Sequence, residues 1–454
     1  MTFERLPGLL TTDLGAYEQP WRGEAGRARA VVRPSSLDEV RAIVQWAVRE
    51  RVRILAQGAN TGLVGASTPD GAGDAIVLST ERLITPLSID PMERTAVVGA
   101  GVRLSTLNAA AAQHGLHLPI DLAADPTLGG MIATNTGGTR VLRYGALRHH
   151  VLDVQSVAAT SDADVFGHGT AVRKDSRGID IGQLMVGSGG ALGIVTQVTV
   201  SLTPLPTQRA TWWILPTARR EIDLLHFFER ASDGLSAFEL VSTNAMAAAG
   251  HTPAQVRLPF PLDAITDTAA LLEWIGPGSE RVADLFEQAA ERGLVRDAVE
   301  MPADDAWAVR QAITDGLRTM GTVLGHDVAV PRRRIPEVRD QARAAVAELA
   351  PRARLCEFGH VGDGGLHLSV LFPHDVEPPT IAERSAVRCA LDDLVAADGT
   401  YSAEHGLGPL NAQRWLATTS PMEQAVVEAL KETLDPHGIL GHPRHPYNLL
   451  GATR

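Results

Sequence analysis

Three histidines and a glutamate fall in two short glycine-rich segments of the second half of the chain. His360 and His367 lie in GHVGDGGLH, and Glu404 and His405 are adjacent in SAEHGLG. Extended backbone alternates its faces, so a seven-residue offset would direct the two imidazoles to opposite sides. The intervening glycines tolerate positive φ, and we expect them to reverse the chain so that the rings converge. Two histidines and one carboxylate form a metal-ligand set that leaves coordination positions open for substrate.

Single residues of these motifs carry little information, because the chain contains 15 histidines and a lone buried histidine is usually a hydrogen-bonded core group. Asp363 lies beside glycines, a setting in which aspartate stabilises turns, so we predict a turn residue there and not a ligand. Cys356 and Cys389 are too few for a disulfide framework and suit a reducing cytoplasm. We expect each cysteine to be a small buried apolar residue, and the N/O ligand set is complete without Cys356.

The first half of the chain carries three glycine clusters in β-rich sequence. They are QGANTGLVG at 57–65, LGGMIATNTGG at 128–138 and GSGGALGIVT at 187–196. Small residues let a phosphate approach backbone N–H groups, so the clusters predict a long, phosphate-bearing ligand. Neither a P-loop nor a GxGxxG fingerprint is present. Loop-rich β structure without a ligand stays open on composition alone.

Composition limits the remaining classes of function. The 454 residues suggest two or three domains, and 44% hydrophobic with 21% charged residues is typical of a globular protein. No run approaches about 18 apolar residues, so no membrane span is expected, and the N-terminus does not resemble a secretion signal. A net charge of −12 argues against a general nucleic-acid surface.

Local patterns predict the elements that position these motifs. Ser36 and Glu39 have capping-box spacing at the start of an amphipathic helix. The stretch Thr203-Pro204-Leu205-Pro206 indicates a domain junction. Beyond it, helices and strands alternate without a βαβ repeat, which favours an α+β domain with an antiparallel sheet. Within this domain we predict helices at 221–230, 279–292 and 336–349, and strands at 237–241, 355–358 and 366–371.

Together these motifs resemble the flavin-linked D-2-hydroxyacid dehydrogenases, a family that includes D-2-hydroxyglutarate and D-lactate dehydrogenases and the flavin subunit of glycolate oxidase. The resemblance covers roughly residues 30–440. It implies an α+β protein: a vanillyl-alcohol-oxidase (PCMH-type) FAD-binding domain at 1–205, a substrate and metal-binding domain with an antiparallel sheet at 206–420, and a C-terminal helical segment at 421–454 that returns to the FAD domain.

The resemblance also implies which residues contact FAD. They are Gly58, Ala59, Asn60, Thr61, Gly62, Leu63, Pro119, Leu122, Gly129, Gly130, Thr134, Asn135, Gly137, Gly138, Tyr144, Gly145, Gly193 and Ile194. No histidine lies in 57–65, so we expect FAD to be non-covalent. Two departures stand out: Ala59 replaces a usual glycine, and Gly189-Gly190 replaces Glu-Gly. The family's Asn-Pro-Gly-Lys near 442 is missing, so no cofactor contact is assigned there.

For the second domain, the predicted metal ligands are His360, His367 and Glu404, and the ion in the family is usually zinc. We expect His405 to be the catalytic base, since imidazole titrates near neutral pH, and to contact substrate. Glu404 and His405 are expected on a loop, because neighbours on a strand would point apart.

In relatives, an arginine and a threonine with the spacing of Arg310 and Thr314 hold the far end of a dicarboxylate, and Ser369 occupies an asparagine position that contacts substrate. The family's accompanying lysine falls here on Gly325. Arg310 alone could clamp a distal carboxylate, or His326 could replace the lysine, or the pocket could suit a shorter or apolar side chain.

The predicted function is FAD- and divalent-metal-dependent oxidation of a D-2-hydroxy acid to the 2-oxo acid by hydride transfer to flavin N5. D-2-hydroxyglutarate is the first expectation, with D-lactate or glycolate oxidase-type activity as the alternative. Two other classes remain: a non-haem iron oxygenase, which uses the same ligand types, and a non-catalytic flavin-binding protein. The expected acceptor is an electron-transfer flavoprotein, a quinone or a cytochrome. We expect a cytoplasmic protein without nucleic-acid partners, and a homodimer stays open.

Overall fold

A computed structural model describes residues 9–450 apart from 12, 22, 168–170, 232–233, 254 and 277. The chain divides into two compact units. The first unit comprises Met1–Gly138, Ala146–Leu205 and Glu404–Arg454, and the second comprises Thr139–Gly145 and Pro206–Ala403. The sequence placed the first division after residue 205 and the C-terminal return at 421. In the structure the return begins at Glu404, and Thr139–Gly145 belongs to the second unit.

The first unit contains a small mixed sheet and a larger antiparallel one. The mixed sheet has the order Leu9–Thr11, Ala30–Arg33, Ile76–Ser79, Ile54–Gln57, and its last two pairings are parallel. The antiparallel sheet has the order Leu87–Asp90, Thr95–Gly99, Ile194–Ser201, Val151–Val157, Val165–Phe166. A short ribbon pairs Thr203–Pro204 with Leu116–His117. The α-helices are Gly15–Glu18, Leu37–Glu50, Leu104–Ala112, Leu128–Thr134, Ala412–Thr418, Pro421–Leu434 and Pro446–Leu449.

Half of the predicted capping box forms at the Leu37–Glu50 helix. The Ser36 hydroxyl accepts a hydrogen bond from the backbone N–H of Glu39 at 3.2 Å. The Glu39 carboxylate does not return to Ser36: it accepts from the backbone N–H of Ser35 at 2.7 Å and from its hydroxyl at 3.1 Å. The helix start was therefore predicted correctly, while the carboxylate bonds Ser35, one residue before the N-cap, in place of Ser36.

The second unit is built on a seven-stranded sheet. Every pairing in it is antiparallel, which confirms the prediction. The order is Val295–Glu300, Arg209–Pro216, Thr268–Ile275, Leu235–Ser242, Arg354–Gly359, Gly365–Pro373, Gly321–Ala329. The α-helices are Val141–Tyr144, Glu221–Ala231, Thr243–Ala249, Val282–Glu291, Ala303–Met320, Ile335–Leu349 and Ile381–Asp393.

Strand alternation separates two cores on this sheet. Phe238 and Leu240 pack with the helices Val282–Glu291 and Ile335–Leu349 on one face. Ala237 and Val241 pack with Thr243–Ala249 and Ala303–Met320 on the other, which we call the site face. Because side chains alternate along a strand, Glu239 projects from the site face. Cys356 is buried, as predicted, but the prediction was wrong for Cys389, which is exposed on the helix Ile381–Asp393. In the described part of the chain, no helix is both long and apolar enough to cross a bilayer.

Candidate functional site

A hairpin in the second unit brings the two motif histidines together. The strands Arg354–Gly359 and Gly365–Pro373 flank a turn at 360–364. The ring centroids of His360 and His367 lie 5.5 Å apart with the planes at 81°. One ring nitrogen of each lies within 4.8 Å of the other. The predicted convergence is therefore observed, and a metal ion between the rings stays a prediction.

The turn glycines act differently from the prediction. Among the three glycines expected to reverse the chain, only Gly364 has a positive φ, at 99°. At Gly362 the requirement is space, since a Cβ there would lie 2.8 Å from Leu142 Cδ2. Asp363 Oδ1 accepts a hydrogen bond from the backbone N–H of Gly365 at 3.0 Å. Asp363 thus stabilises the turn, as its position beside glycines predicted.

A buried glutamate that sequence reasoning missed lies beneath His360. Glu239 has no exposed surface, and one of its carboxylate oxygens is hydrogen bonded to His360 Nδ1. The other accepts from Arg310 Nε at 2.5 Å, and the Arg310 guanidinium stacks over the Phe358 ring at 4.7 Å. The available signal was one charged residue within the apolar strand AFELV at 237–241.

The electrostatics of this cluster keep Glu239 ionised. Burial by itself raises the pKa of the Glu239 carboxyl, but the charges and hydrogen bonds of His360 and Arg310 outweigh it and lower the pKa to about 2. A carboxylate can only accept hydrogen bonds, so His360 Nδ1 carries the proton in this pair. His360 Nε2 is then the nitrogen left to face a metal ion, which it can bind once the ring is neutral.

His367 has a carboxylate neighbour of its own. It is directly opposite Asp327 in the sheet register, and its Nδ1 lies 3.7 Å from Asp327 Oδ1. Its ring packs against Phe358, with centroids 5.1 Å apart. Both ligand candidates therefore have an acidic residue beside one ring nitrogen, a common arrangement around metal-binding histidines.

Arg310, Thr314 and Ser369, three of the predicted substrate residues, lie on the site face, but Arg310 has an internal partner. Arg310 and Thr314 share a face of the Ala303–Met320 helix, as predicted. Arg310 is only 7% exposed and donates to Glu239 through Nε. Among the described residues its terminal Nη groups have no hydrogen-bond acceptor, so they can hold a second one. Ser369 is buried two residues beyond His367, and therefore on the same face.

The structure excludes His326 as a replacement for the family's lysine. Gly325 pairs with Ser369, so a side chain at this position would project from the site face. His326 pairs with Leu368, and its side chain projects from the opposite face. Burial, with a smaller effect from Arg388, lowers the pKa of His326 to about 3, so the ring is neutral. This alternative was wrong because adjacent strand residues face opposite sides of the sheet.

The second motif follows directly from the edge of this sheet. Ser402 forms a parallel bridge with Asp327, and the Ala403 N–H donates to the Asp327 carbonyl at 3.4 Å. Glu404 is the next residue along the chain. Glu404 and His405 lie outside any helix or strand, as predicted.

The first unit presents a row of backbone donors at the first glycine cluster. The strand Ile54–Gln57 leads directly into this half-buried loop. Within the described ranges, none of the backbone N–H groups of 58–63 donates to a protein acceptor. Asn60 has a φ of 55°, and successive N–H groups around such a residue form an anion-binding concavity. The loop therefore fits a pyrophosphate.

The three glycine clusters meet inside the first unit. A Cβ on Gly58 would lie 2.1 Å from Thr127 Oγ1, so the first cluster packs against the start of the Leu128–Thr134 helix. The backbone N–H groups of Gly187 and Gly189 donate to Ile132 and Ala133 at 2.9 and 2.8 Å. Clusters distant in sequence thus border one region, which supports a single extended ligand.

The departure at Gly189 has a structural reason. Its φ is 61°, and a Cβ would lie 2.5 Å from Nε2 of the fully buried His445. A glutamate side chain at Gly189 would collide with this imidazole. Gly189 and His445 therefore fit each other.

The other predicted FAD residues are distributed over both units. Gly129, Gly130 and Thr134 lie on the Leu128–Thr134 helix, Asn135 is its left-handed C-cap, and Gly137, Gly138, Pro119, Leu122, Gly193 and Ile194 lie in the first unit's loops and strand starts. Tyr144 and Gly145 belong to the second unit. Their contacts with FAD remain predictions.

Comparison with known proteins gives the family. Residues 28–163 match the FAD binding domain model, and residues 207–442 match the model of the C-terminal domain of FAD linked oxidases. The chain belongs to the FAD-linked oxidases and is an FAD-dependent oxidoreductase.

Curated relatives match along nearly the whole chain. A D-2-hydroxyglutarate dehydrogenase of Xanthomonas citri pv. viticola is 34% identical over 94% of this chain and 91% of its own length. A D-2-hydroxyglutarate dehydrogenase of Stutzerimonas stutzeri is 32% identical over 96% and 95%. The mitochondrial D-2-hydroxyglutarate dehydrogenase of Bos taurus is 33% identical over 98% and 82%.

Solved structures confirm the predicted PCMH-type fold. The 4-ethylphenol oxidase of Gulosibacter chungangensis aligns with a TM-score of 0.70, 17% identity, and coverage of 94% of this chain and 91% of that one. p-Cresol methylhydroxylase aligns with a TM-score of 0.68, 16% identity, and coverage of 93% and 90%.

Proposed function

We propose that the protein oxidises a D-2-hydroxy acid, D-2-hydroxyglutarate in the first instance, to the 2-oxo acid with non-covalent FAD and a divalent metal ion. The observation that carries this proposal is the His360–His367 pair, whose rings converge while the buried Glu239 holds His360. The names of the curated relatives support the substrate.

The donor set fits zinc. His360 offers Nε2, His367 offers a ring nitrogen, and Glu404 follows the strand-edge residues Ser402 and Ala403 as the third proposed ligand. Nitrogen and carboxylate oxygen donors suit this ion, and three protein ligands leave room for a substrate. When bound, the ion supplies a Lewis acid that lowers the pKa of the 2-hydroxyl and holds the 1-carboxylate.

Arg310, Thr314 and Ser369 orient the substrate from the site face. Arg310 presents its Nη groups to the distal carboxylate of the substrate while Glu239 holds Nε. Ser369 offers a hydroxyl on the face that carries His367. Gly325 contributes no side chain there, which also suits a shorter acid, so D-lactate and glycolate-type substrates form the second candidate.

His405 takes the proton of the 2-hydroxyl. The next residue, Gly406, packs against Thr134 in the first unit, at 3.5 Å from its hypothetical Cβ, and Thr134 is a predicted FAD contact. Bound FAD supplies the acceptor for the hydride that leaves C2. The loop 58–63 holds the pyrophosphate through its backbone N–H groups.

The two other classes have weaker support. A non-haem iron oxygenase would leave the FAD binding domain at 28–163 without a role. A non-catalytic flavin protein would not need two converging histidines, one of them held by a buried carboxylate. The physiological acceptor is proposed to be an electron-transfer flavoprotein, quinone or cytochrome, the compartment the cytoplasm, and the assembly a monomer or homodimer.

Anaerobic reduction of the bound flavin tests the proposal. Purified protein is mixed with D- and L-2-hydroxyglutarate, D- and L-lactate and glycolate, and loss of flavin absorbance is recorded with and without a chelator. We expect rapid bleaching by D-2-hydroxyglutarate that the chelator abolishes and zinc restores. Bleaching by L-acids alone, or bleaching indifferent to the chelator, contradicts the stereochemical or the metal part respectively.

His405→Ala tests the proposed base. We expect the variant to keep flavin and metal but to lose about 10²–10⁴-fold in the rate of flavin reduction, the usual contribution of a positioned acid or base. His437→Ala, at an exposed histidine of the first unit, is the control. An unchanged rate in His405→Ala removes the proposed base.

A further inference from the structure

We infer that Glu239 is a positioning residue for the proposed metal site: it fixes His360 with Nε2 toward the ion and connects this ligand to Arg310. The inference rests on the proposed function, because it assumes that His360 binds metal. It adds a residue that neither the sequence motifs nor the relatives' names assign.

Glu239 lies in the middle of the seven-stranded sheet. It lies on the central strand Leu235–Ser242, and this strand pairs with the hairpin strand that ends beside His360. Its carboxylate has no exposed surface and bonds His360 Nδ1 from 121 residues away in sequence. An imidazole held in this way has one orientation and one tautomer, which preorganises Nε2.

Glu239 also connects His360 to Arg310. One carboxylate oxygen of Glu239 holds His360 and the other accepts from Arg310 Nε. Stacking on Phe358 fixes the Arg310 guanidinium in turn. The proposed substrate clamp and the proposed ligand therefore share one buried anion, so a change at Glu239 is expected to affect metal affinity and, through Arg310, the KM for a dicarboxylate.

A purely structural role is the competing explanation, since an ion pair with Arg310 alone could account for a buried glutamate. The chain offers a matched control: Glu273, on the neighbouring strand and the same face, is equally buried and paired with Arg140 and Arg209. It touches neither of the proposed histidine ligands. Glu239→Gln and Glu273→Gln each remove one buried charge, but only the first removes it from a ligand.

Zinc affinity of the flavin-loaded protein is the decisive measurement, made by titration calorimetry in competition with a chelator of known affinity. We expect Glu239→Gln to bind zinc about 10–100-fold more weakly than wild type and Glu273→Gln to bind it as wild type does. Equal affinities in Glu239→Gln and wild type overturn the inference. If wild type itself takes up no stoichiometric zinc, the proposed function fails instead.

The double variant Glu239→Gln/Arg310→Gln separates a loss of zinc affinity from a loss of stability. It removes the buried pair together, so much of the stability that Glu239→Gln loses is expected to return. Zinc affinity is expected to stay low, because His360 still lacks its carboxylate. Recovery of zinc affinity together with stability shows a structural role only and refutes the inference.

Discussion

Two buried glutamates under one helix differ in what their partners can do. Glu239 and Glu273 both project from the site face beneath Ala303–Met320, and the pKa of each is lowered to about 2 despite burial. Glu239 binds Arg310 and His360. Glu273 accepts from Arg140 at 2.7 Å, Ser236 at 2.7 Å and Trp307 at 3.0 Å, and also pairs with Arg209.

The two clusters differ in whether a partner of the glutamate has a further atom that can bind a ligand. Arginine and tryptophan side chains are donors only, and the buried Ser236 hydroxyl bonds Glu273 itself. The Glu273 cluster therefore tethers the Thr139–Gly145 segment and the helix to the sheet. His360 has a second nitrogen that the glutamate does not use. A buried carboxylate therefore indicates function when a partner retains a ligand atom, and structure when none does.

The largest expected effect is on stability, at Glu273. Glu273→Gln leaves Arg140 and Arg209 without their anion and should lower the free energy of unfolding by about 3 kcal/mol, at the low end for a broken buried pair because Arg209 is partly exposed. Denaturant unfolding measures this loss. Unchanged stability would show that the cluster is not the tether described above.

The same variant should change acid sensitivity. The folded pKa of Glu273 lies below its ordinary value of 4.5, so its stabilisation is present above that pH and is lost as the pH falls toward about 2. We expect the unfolding free energy of wild type to decline more steeply between about pH 5 and 2 than that of Glu273→Gln. Parallel profiles would contradict this assignment.

Removing the Trp307 hydrogen bond to Glu273 should cause a smaller loss of stability than removing the glutamate charge. Trp307→Phe removes the indole N–H that bonds Glu273, and a hydrogen bond to a charged group contributes about 1.5–3 kcal/mol. Trp213→Phe is the matched control, since Trp213 is buried on the same face and its indole nitrogen has no hydrogen-bond partner among the described residues. Equal losses in both variants would assign the effect to lost volume alone.

Substrate specificity after substitution of Gly325 tests the proposed substrate site that contains Glu239 and Arg310. A lysine there would project from the site face near Ser369, so Gly325→Lys should favour D-2-hydroxyglutarate over D-lactate in kcat/KM by about tenfold, or roughly 1.4 kcal/mol. Gly325→Met supplies similar length without charge. If Met and Lys shift the ratio equally, charge recognition is not involved.

The smallest expected effect is on stability, at His326 on the opposite face of the sheet. The ring nitrogens of His326 have no hydrogen-bond partner within the described part of the chain, so His326→Leu should raise stability by about 1 kcal/mol at neutral pH. The gain should grow as the pH falls below 6.5, because only the unfolded state then takes up the proton. Altered substrate kinetics in this variant would contradict its place away from the site.

Sequence patterns predicted much of the local structure. The glycine clusters, the 37–50 helix start and the hairpin with two histidines are short-range features, set by turn chemistry, caps and periodicity. The individual glycines were harder: Gly362 is required by Leu142 and Gly189 by His445, and both partners lie far away along the chain.

The sequence by itself determined the class of the protein and the residue types of its site. The spacing within each motif is a local feature, and this spacing is typical of the family. Tertiary structure alone decided that His326 faces away from the site and that Glu239 lies beneath His360. Side-chain direction depends on sheet register, and the Glu239 contact joins residues 121 apart. No local pattern specifies such a contact; only the packed sheet brings the two groups together.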